Sequence, residues 1–183
     1  MKQKILLHIC CAICGTALVE KLKENFEPVL FFYNPNIYPA SEYERRKESV
    51  IKMAQIYNIE FFEGTYDSEN WQKKIKGKES EPERGARCYD CFEIRQQKAA
   101  EFARENGIEV FTTSLFVSPF KDENQVDSAG KNASQKTEIR YLAMGEILAD
   151  KDKNWQKTRE LAKKYGFYSQ KYCGCVFSAK QYN

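Results

Sequence analysis

The sequence predicts an α/β protein, a doubly wound parallel sheet of about five strands, on three observations. Short apolar runs alternate with stretches of helical periodicity along the whole chain, the pattern from which parallel βαβ units are built. Runs such as Ile5-Leu6-Leu7 and Val29-Leu30-Phe31-Phe32 show no polar alternation, as expected of strands covered on both faces. The 183 residues also fit one domain by the usual ~100–200 residues per domain, with enough chain for a real core. The expectation is a single α/β domain over residues 1–183.

Residues 2–9 read as the first strand, and it runs into His8-Ile9-Cys10-Cys11-Ala12-Ile13-Cys14. A helix over 17–25 follows, its leucines and valine at helical spacing. The second strand is 28–33. Residues 34–39, with two prolines and two asparagines, form a rigid loop. Ser41 reads as an N-cap with Glu44 completing a capping box, and the helix continues to about Tyr57. A third strand over 59–62, a helix over 67–76 and a polar loop over 78–87 come next. Cys88 opens a long helix to about Asn106, which Gly107 stops in the position glycine favours. Residues 109–113 are the fourth strand and 118–121 a turn. Residues 126–135 are polar and weakly periodic, while 137–142 read as a fifth strand or as part of a helix running to Leu148. Residues 150–154 form a charged loop, and 155–165 a helix ended by Gly166.

The chain is 42% hydrophobic and 30% charged, with a net charge of +3, which permits a polyanionic partner without demanding one. No run approaches the ~20 apolar residues that span a bilayer, and no signal-peptide pattern is present. The expectation is a cytoplasmic protein without membrane association. Structural disulfides are rare in that compartment, so clustered cysteines there indicate metal or redox chemistry.

The seven cysteines form three clusters: Cys10, Cys11 and Cys14; Cys88 and Cys91; Cys173 and Cys175. The first lies where a strand hands over to a helix, at the carboxyl end where open α/β sheets bind ligands. A helix N-terminus there favours thiolate over thiol. Cys88-x-x-Cys91 has the spacing of two ligands to one metal, or of a redox disulfide. All seven are candidate metal ligands. Zinc needs four ligands in one tetrahedral site, and a [4Fe–4S] cluster takes four thiolates, so three thiols remain for a second adjacent iron or a disulfide. Cys173-Gly174-Cys175 is too close for a relaxed oxidised pair, which suits a redox role or two ligands to one metal. The C-terminal segment is therefore expected to bind metal. His8, the one histidine, reads equally as a donor to a cluster sulfur or as a satisfied core residue. The 34–39 loop with Tyr43, Arg45 and Arg46 offers groups for a polar ligand or phosphates, and Arg84, Arg87, Lys121 and the lysines of 151–171 offer further phosphate contacts. Plain surface charge is the other reading of these cations. No phosphate-binding glycine loop is present, which argues against use of ATP.

These residues together resemble a known family, the cobalamin-independent epoxyqueuosine reductases of the QueH type. The matching stretches are 7–14, then 32–39 with Glu42, Tyr43 and Arg46, then Arg87-Cys88-Tyr89-Asp90-Cys91-Phe92, Ser118-Pro119-Phe120-Lys121, and Tyr172-Cys173-Gly174-Cys175-Val176-Phe177-Ser178. The resemblance implies a nucleotide-hydrolase-like (HUP-like) fold without a phosphate loop. It also implies an oxidoreductase that converts epoxyqueuosine in the tRNA wobble position to queuosine at an iron–sulfur cluster, the last step of queuosine biosynthesis. It assigns Cys10, Cys11, Cys88 and Cys91 to the cluster, and Cys173 and Cys175 to a reactive pair. The chain departs from the family pattern at Ile13, where proline is usual, and after Leu142, where only Asp150 and Lys153 fit.

Taking an epoxide to an alkene needs two electrons, two protons and loss of the oxygen as water. The electrons would come from an external donor of ferredoxin or flavodoxin type. Tyr33, His8 or a water is the candidate acid, and Asn34, Asn36, Tyr43, Arg46, Arg87 and Lys121 are the candidate substrate contacts. The rival readings are a tRNA thiolation enzyme, which the missing phosphate loop disfavours, and a zinc-binding RNA-interaction module without redox activity.

Overall fold

The computed structural model describes residues 2–180. In chain order the elements are β1 (Gln3–His8), α1 (Ala12–Leu22), β2 (Phe26–Phe32), α2 (Ala40–Tyr57), β3 (Glu60–Glu63), α3 (Ser68–Lys74) and α4 (Ala86–Glu105). Then follow β4 (Val110–Thr113), a 3-10 turn (Ser114–Val117), α5 (Glu123–Thr137), β5 (Arg140–Tyr141), α6 (Met144–Ile147), α7 (Lys151–Tyr165) and α8 (Val176–Ala179). The five strands make one sheet in the order β3-β2-β1-β4-β5, and every pairing is parallel.

β1 takes the centre because its second half has no exposed face: Ile5, Leu6, Leu7 and the hydrogen-bonded His8 are each fully buried. Its side chains alternate between two cores, as the strand period requires. Ile5, Leu7 and Ile9 pack with Leu18 and Val19 of α1 and Met53 of α2. Leu6 points the other way, with Val29, Phe31 and Phe111, onto Ala99, Ala100 and Ala103 of α4 and Ala133 of α5. Helices thus cover both faces, as the continuous apolar runs predict. β1 pairs with both β2 and β4, so the chain leaves β1 in one direction and returns on its other side. That reversal opens a crevice at the carboxyl end of β1, the place where such sheets bind ligands. No helix among the described residues is long and apolar enough to cross a membrane.

Three local expectations change, and the open alternative at 137–142 resolves to a strand. α1 starts at Ala12 rather than at 17, with Cys11 as its extended N-cap residue, so Cys14 belongs to the first helical turn. α2 starts at Ala40 behind Pro39, without a capping box at Ser41. The Pro39 carbonyl accepts from Glu42 N and Tyr43 N at 2.9 and 3.2 Å, which places the helix start two residues earlier. Residues 150–154 are not a loop: the Asp150 side chain accepts from Lys153 N at 3.0 Å and caps α7. That bond is the structural part played by Asp150 and Lys153. The stretch 137–142 supplies a two-residue strand, β5, with the short α6 after it.

The weakly periodic 126–135 stretch lies inside α5, whose buried side is Val126, Ala129, Gly130 and Ala133. Small residues let the helix approach closely while adding little to the hydrophobic pattern, which hid it in the sequence. A Cβ at Gly130 would collide with the Tyr141 ring, and that ring is tied to Asp127 Oδ1 by a 2.8 Å bond. Gly130→Ala is therefore expected to destabilise the protein by about 1–3 kcal/mol through overpacking. Urea unfolding of the variant against the wild type measures it.

Candidate metal centre and active-site cavity

Three thiols converge where β1 becomes α1. The Sγ atoms of Cys10, Cys11 and Cys14 all lie within 4.8 Å of one another, and all three residues are buried. The α1 turn brings Cys14 back over Cys11. Ser114, at the end of β4, pins Cys10: its hydroxyl accepts from Cys10 N at 3.1 Å and stands 3.6 Å from Cys10 Sγ. Gln170 donates through Nε2 to Cys11 Sγ at 3.0 Å. The thiols of Cys11 and Cys14 donate to Cys10 and hold it well below the usual thiol range, against burial and with Lys121 and Arg95 helping. Sharing that charge pushes Cys11 up to about 11 and Cys14 up as well. A buried trio of soft sulfurs favouring a thiolate is the donor set that iron or zinc takes.

Cys10 and Cys14 open onto a cavity of about 530 Å³, and Cys88 and Cys173 line it too. Cys88 sits in the first turn of α4, its sulfur accepting from Arg84 N at 3.3 Å. Cys173 is brought in by Arg46, which donates to the carbonyls of Cys173 and Tyr172 at 2.9 and 3.0 Å. Arg46 is only 1% exposed and pairs with Glu42 at 2.8 Å. Gly174 has φ 135°, and a Cβ there would lie 3.1 Å from Arg46 Nη1, so the cysteine pair needs glycine between its members. Cys91 and Cys175 pack with Trp71 and Ile75 in a separate apolar cluster. Burial pushes Cys175 up to about 11, and its sulfur accepts from Ser178 N at the start of α8. The three sequence clusters are thereby regrouped. Cys10, Cys14, Cys88 and Cys173 reach the cavity, while Cys91 and Cys175 lie together in its surroundings.

Several other candidates have structural tasks. His8 Nε2 faces the Tyr33 carbonyl at 3.0 Å, so it carries the ring proton, and Nδ1 accepts from the Thr113 hydroxyl at 2.8 Å. With both nitrogens engaged and burial lowering its pKa to about 4, His8 is a neutral tie between β1, β2 and β4. Tyr33 points to the opposite sheet face, stacked on Phe31, and borders a second cleft with Asp67 and Glu93. Burial pushes its hydroxyl up to about 12.

Asn34 donates to the Ile9 carbonyl at 2.9 Å and ties the 34–39 loop to the end of β1. Asn36 is buried, with its Oδ1 lacking a hydrogen-bond partner. Tyr43 donates to Glu63 at 2.9 Å. Arg87 holds the carbonyls of Glu79 and Glu81 and stacks on Phe177. Neither Tyr43 nor Arg87 lines the cavity. Lys121 does line it; burial opposes its charge, but the nearby sulfurs of Cys173 and Cys10 raise its pKa. Arg45 lies over the Tyr168 ring, 4.9 Å from the centroid.

One residue absent from the sequence reading matters here. Arg95 is 2% exposed, donates to the carbonyl of Cys91 at 3.1 Å and has a buried Nη2 without a partner. Burial opposes its charge, but the thiols of Cys91, Cys173, Cys10 and Cys88 raise its pKa. Its position one helical turn after Cys91 was the only sequence signal for a cation facing the thiols.

A thiol triad at the switch point of a parallel sheet defines a doubly wound α/β protein with a buried three-cysteine site able to hold a metal. The family model described as epoxyqueuosine reductase QueH matches residues 5–181. The chain belongs to the epoxyqueuosine reductase QueH family. A relative of that name from Histophilus somni is 42% identical, the alignment covering 98% of this chain and 74% of the relative. One from Acinetobacter baylyi is 43% identical, covering 98% and 82%. One from Thermotoga maritima is 34% identical, covering 95% and 89%. Among solved structures, one described as a predicted subunit of tRNA methyltransferase from Methanocaldococcus jannaschii superposes with a TM-score of 0.54 at 14% identity, covering 87% of this chain and 76% of that one. At that identity it shows a shared fold alone.

Proposed function

We propose that this chain reduces epoxyqueuosine at the tRNA wobble position to queuosine, at an iron–sulfur cluster held by its thiols. The buried Cys10-Cys11-Cys14 triad beside a cavity of about 530 Å³ carries the reading, since that volume falls within the ~300–1,000 Å³ of small-molecule sites. Family membership supports the reaction. The resemblance assigns Cys10, Cys11, Cys88 and Cys91 to the cluster and Cys173 with Cys175 to a reactive pair; Cys14 completes the buried triad with Cys10 and Cys11, and Cys91 packs against Cys175 beside the cavity. Bound there, such a centre supplies single electrons drawn from an external ferredoxin- or flavodoxin-type donor, and a Lewis-acidic iron for the epoxide oxygen.

The chain's own residues do the rest. The wobble base leaves the anticodon stack to enter the cavity, as base-modifying enzymes require. Phe92, Phe167 and Ile13 line the cavity and exclude water from the reacting atoms. Lys121, a cation in the cavity lining, stabilises the departing oxygen and gives it one of the two protons, in the place proposed for His8 and Tyr33, whose polar groups are engaged or face away. The second proton comes from solvent at the cavity mouth, and the oxygen leaves as water. Arg159, Lys163 and Lys171 line the cavity and grip anticodon-loop phosphates, so affinity is expected to fall steeply with salt.

The test is nucleoside analysis of tRNA from a strain lacking its own reductase, with this chain supplied. Purified, cluster-loaded protein with a chemical reductant should give the same conversion without ATP or cobalamin. Queuosine should replace epoxyqueuosine. Persistent epoxyqueuosine despite soluble, iron-loaded protein and a competent reductant overturns the reading.

A further inference from the structure

We propose that Phe120 is a stacking platform for an unpaired nucleobase of the RNA, an assignment that rests on the anticodon reading and adds the residue that receives the opened loop. Phe120 is 70% exposed, the most exposed large hydrophobic side chain among the described residues, and it borders the thiol-lined cavity. A lone exposed hydrophobe is ordinary. This one differs in how its backbone is held. Arg84 reaches across to donate to the Phe120 carbonyl at 3.2 Å and the Pro119 carbonyl at 3.0 Å. Phe120 N donates to the Ser118 hydroxyl at 3.3 Å. Gln125, in α5, holds the Arg84 carbonyl at 2.7 Å.

Arg84 itself adopts φ 65°, a conformation uncommon outside glycine. With its backbone already held, Phe120 has only its side-chain rotamers left to order on binding, which lowers the cost of contact with a partner. The cations Arg84 and Lys121 flank it at the cavity edge. An aromatic face between positive charges matches single-stranded RNA, which offers base faces for stacking along a phosphate backbone. The same arrangement offers a second protein no matching apolar groove.

The experiment titrates an anticodon stem-loop RNA into wild type, Phe120→Leu, Phe120→Ala and Phe120→Trp. The side chain is exposed, so all four are expected to fold alike by circular dichroism. Loss of stacking should weaken binding about tenfold in both the Leu and Ala variants. The Trp variant should bind like wild type, and RNA should quench its added indole beyond the change seen from Trp71 and Trp155 in the wild type. A Leu variant that binds like wild type would mean an ordinary apolar contact and would overturn the proposal. An unquenched indole would do the same. Wild type that binds while no Phe120 variant differs sinks this assignment alone. Wild type that fails to bind the stem-loop sinks the anticodon reading with it.

Discussion

Cys10→Ala and Cys11→Ala are each expected to retain less than about a tenth of the wild-type iron after anaerobic reconstitution, because a thiolate site missing one ligand loses most of its binding free energy. Both sulfurs lie in the buried triad, 3.8 Å apart. Visible absorbance and turnover should fall with the iron. Cys173→Ala and Cys175→Ala should behave differently, keeping most of the iron while losing turnover, since they leave the triad untouched. Iron and sulfide analysis with absorbance spectra separates the two groups. Equal iron loss in all four variants would show that the C-terminal cysteines are ligands and not a separate reactive pair.

Arg46→Met should destabilise the fold by about 3–5 kcal/mol, the usual cost of leaving a buried charge without its partner. Glu42 would lose its 2.8 Å ion pair in a site where Arg46 is only 1% exposed. The carbonyls of Tyr172 and Cys173 would lose their donor in the same step, and with it the contact that holds Cys173 at the cavity. Urea unfolding gives the stability change, and limited proteolysis near residue 172 reports the released segment. Glu42→Gln in the Arg46→Met background should recover part of the loss by removing the unpaired carboxylate. A variant of wild-type stability with weakened RNA binding would instead make Arg46 a direct substrate contact.

The βα alternation, the parallel sheet and the position of the first thiols were legible because each depends on local pattern. β1 ends in cysteines whatever the rest of the chain does, and a strand-to-helix turn at the centre of such a sheet lies in its binding crevice. α5 was the least legible helix, since its buried face is made of Ala129, Gly130 and Ala133, which carry little hydrophobic signal. The start of α7 looked like a loop because its capping side chain, Asp150, is also a charge.

The sequence by itself determined the fold class, the thiol-rich turn and the family. The tertiary structure alone decided which cysteines share a space and which polar residues remain free to act. Cys91 and Cys175 meet in one apolar cluster although 84 positions separate them, whereas Cys88, beside Cys91 in sequence, turns to the cavity. Arg87, Tyr43 and Asn34 have the side chains of substrate contacts and His8 that of an acid, yet their hydrogen bonds go to the protein's own carbonyls, carboxylates and hydroxyls; Arg46 is engaged in the same way but also lines the cavity. Residue type sets what a group can bond. Only the folded chain sets whether a buried carbonyl reaches it first, because an unmet buried acceptor costs more than a bond to solvent returns.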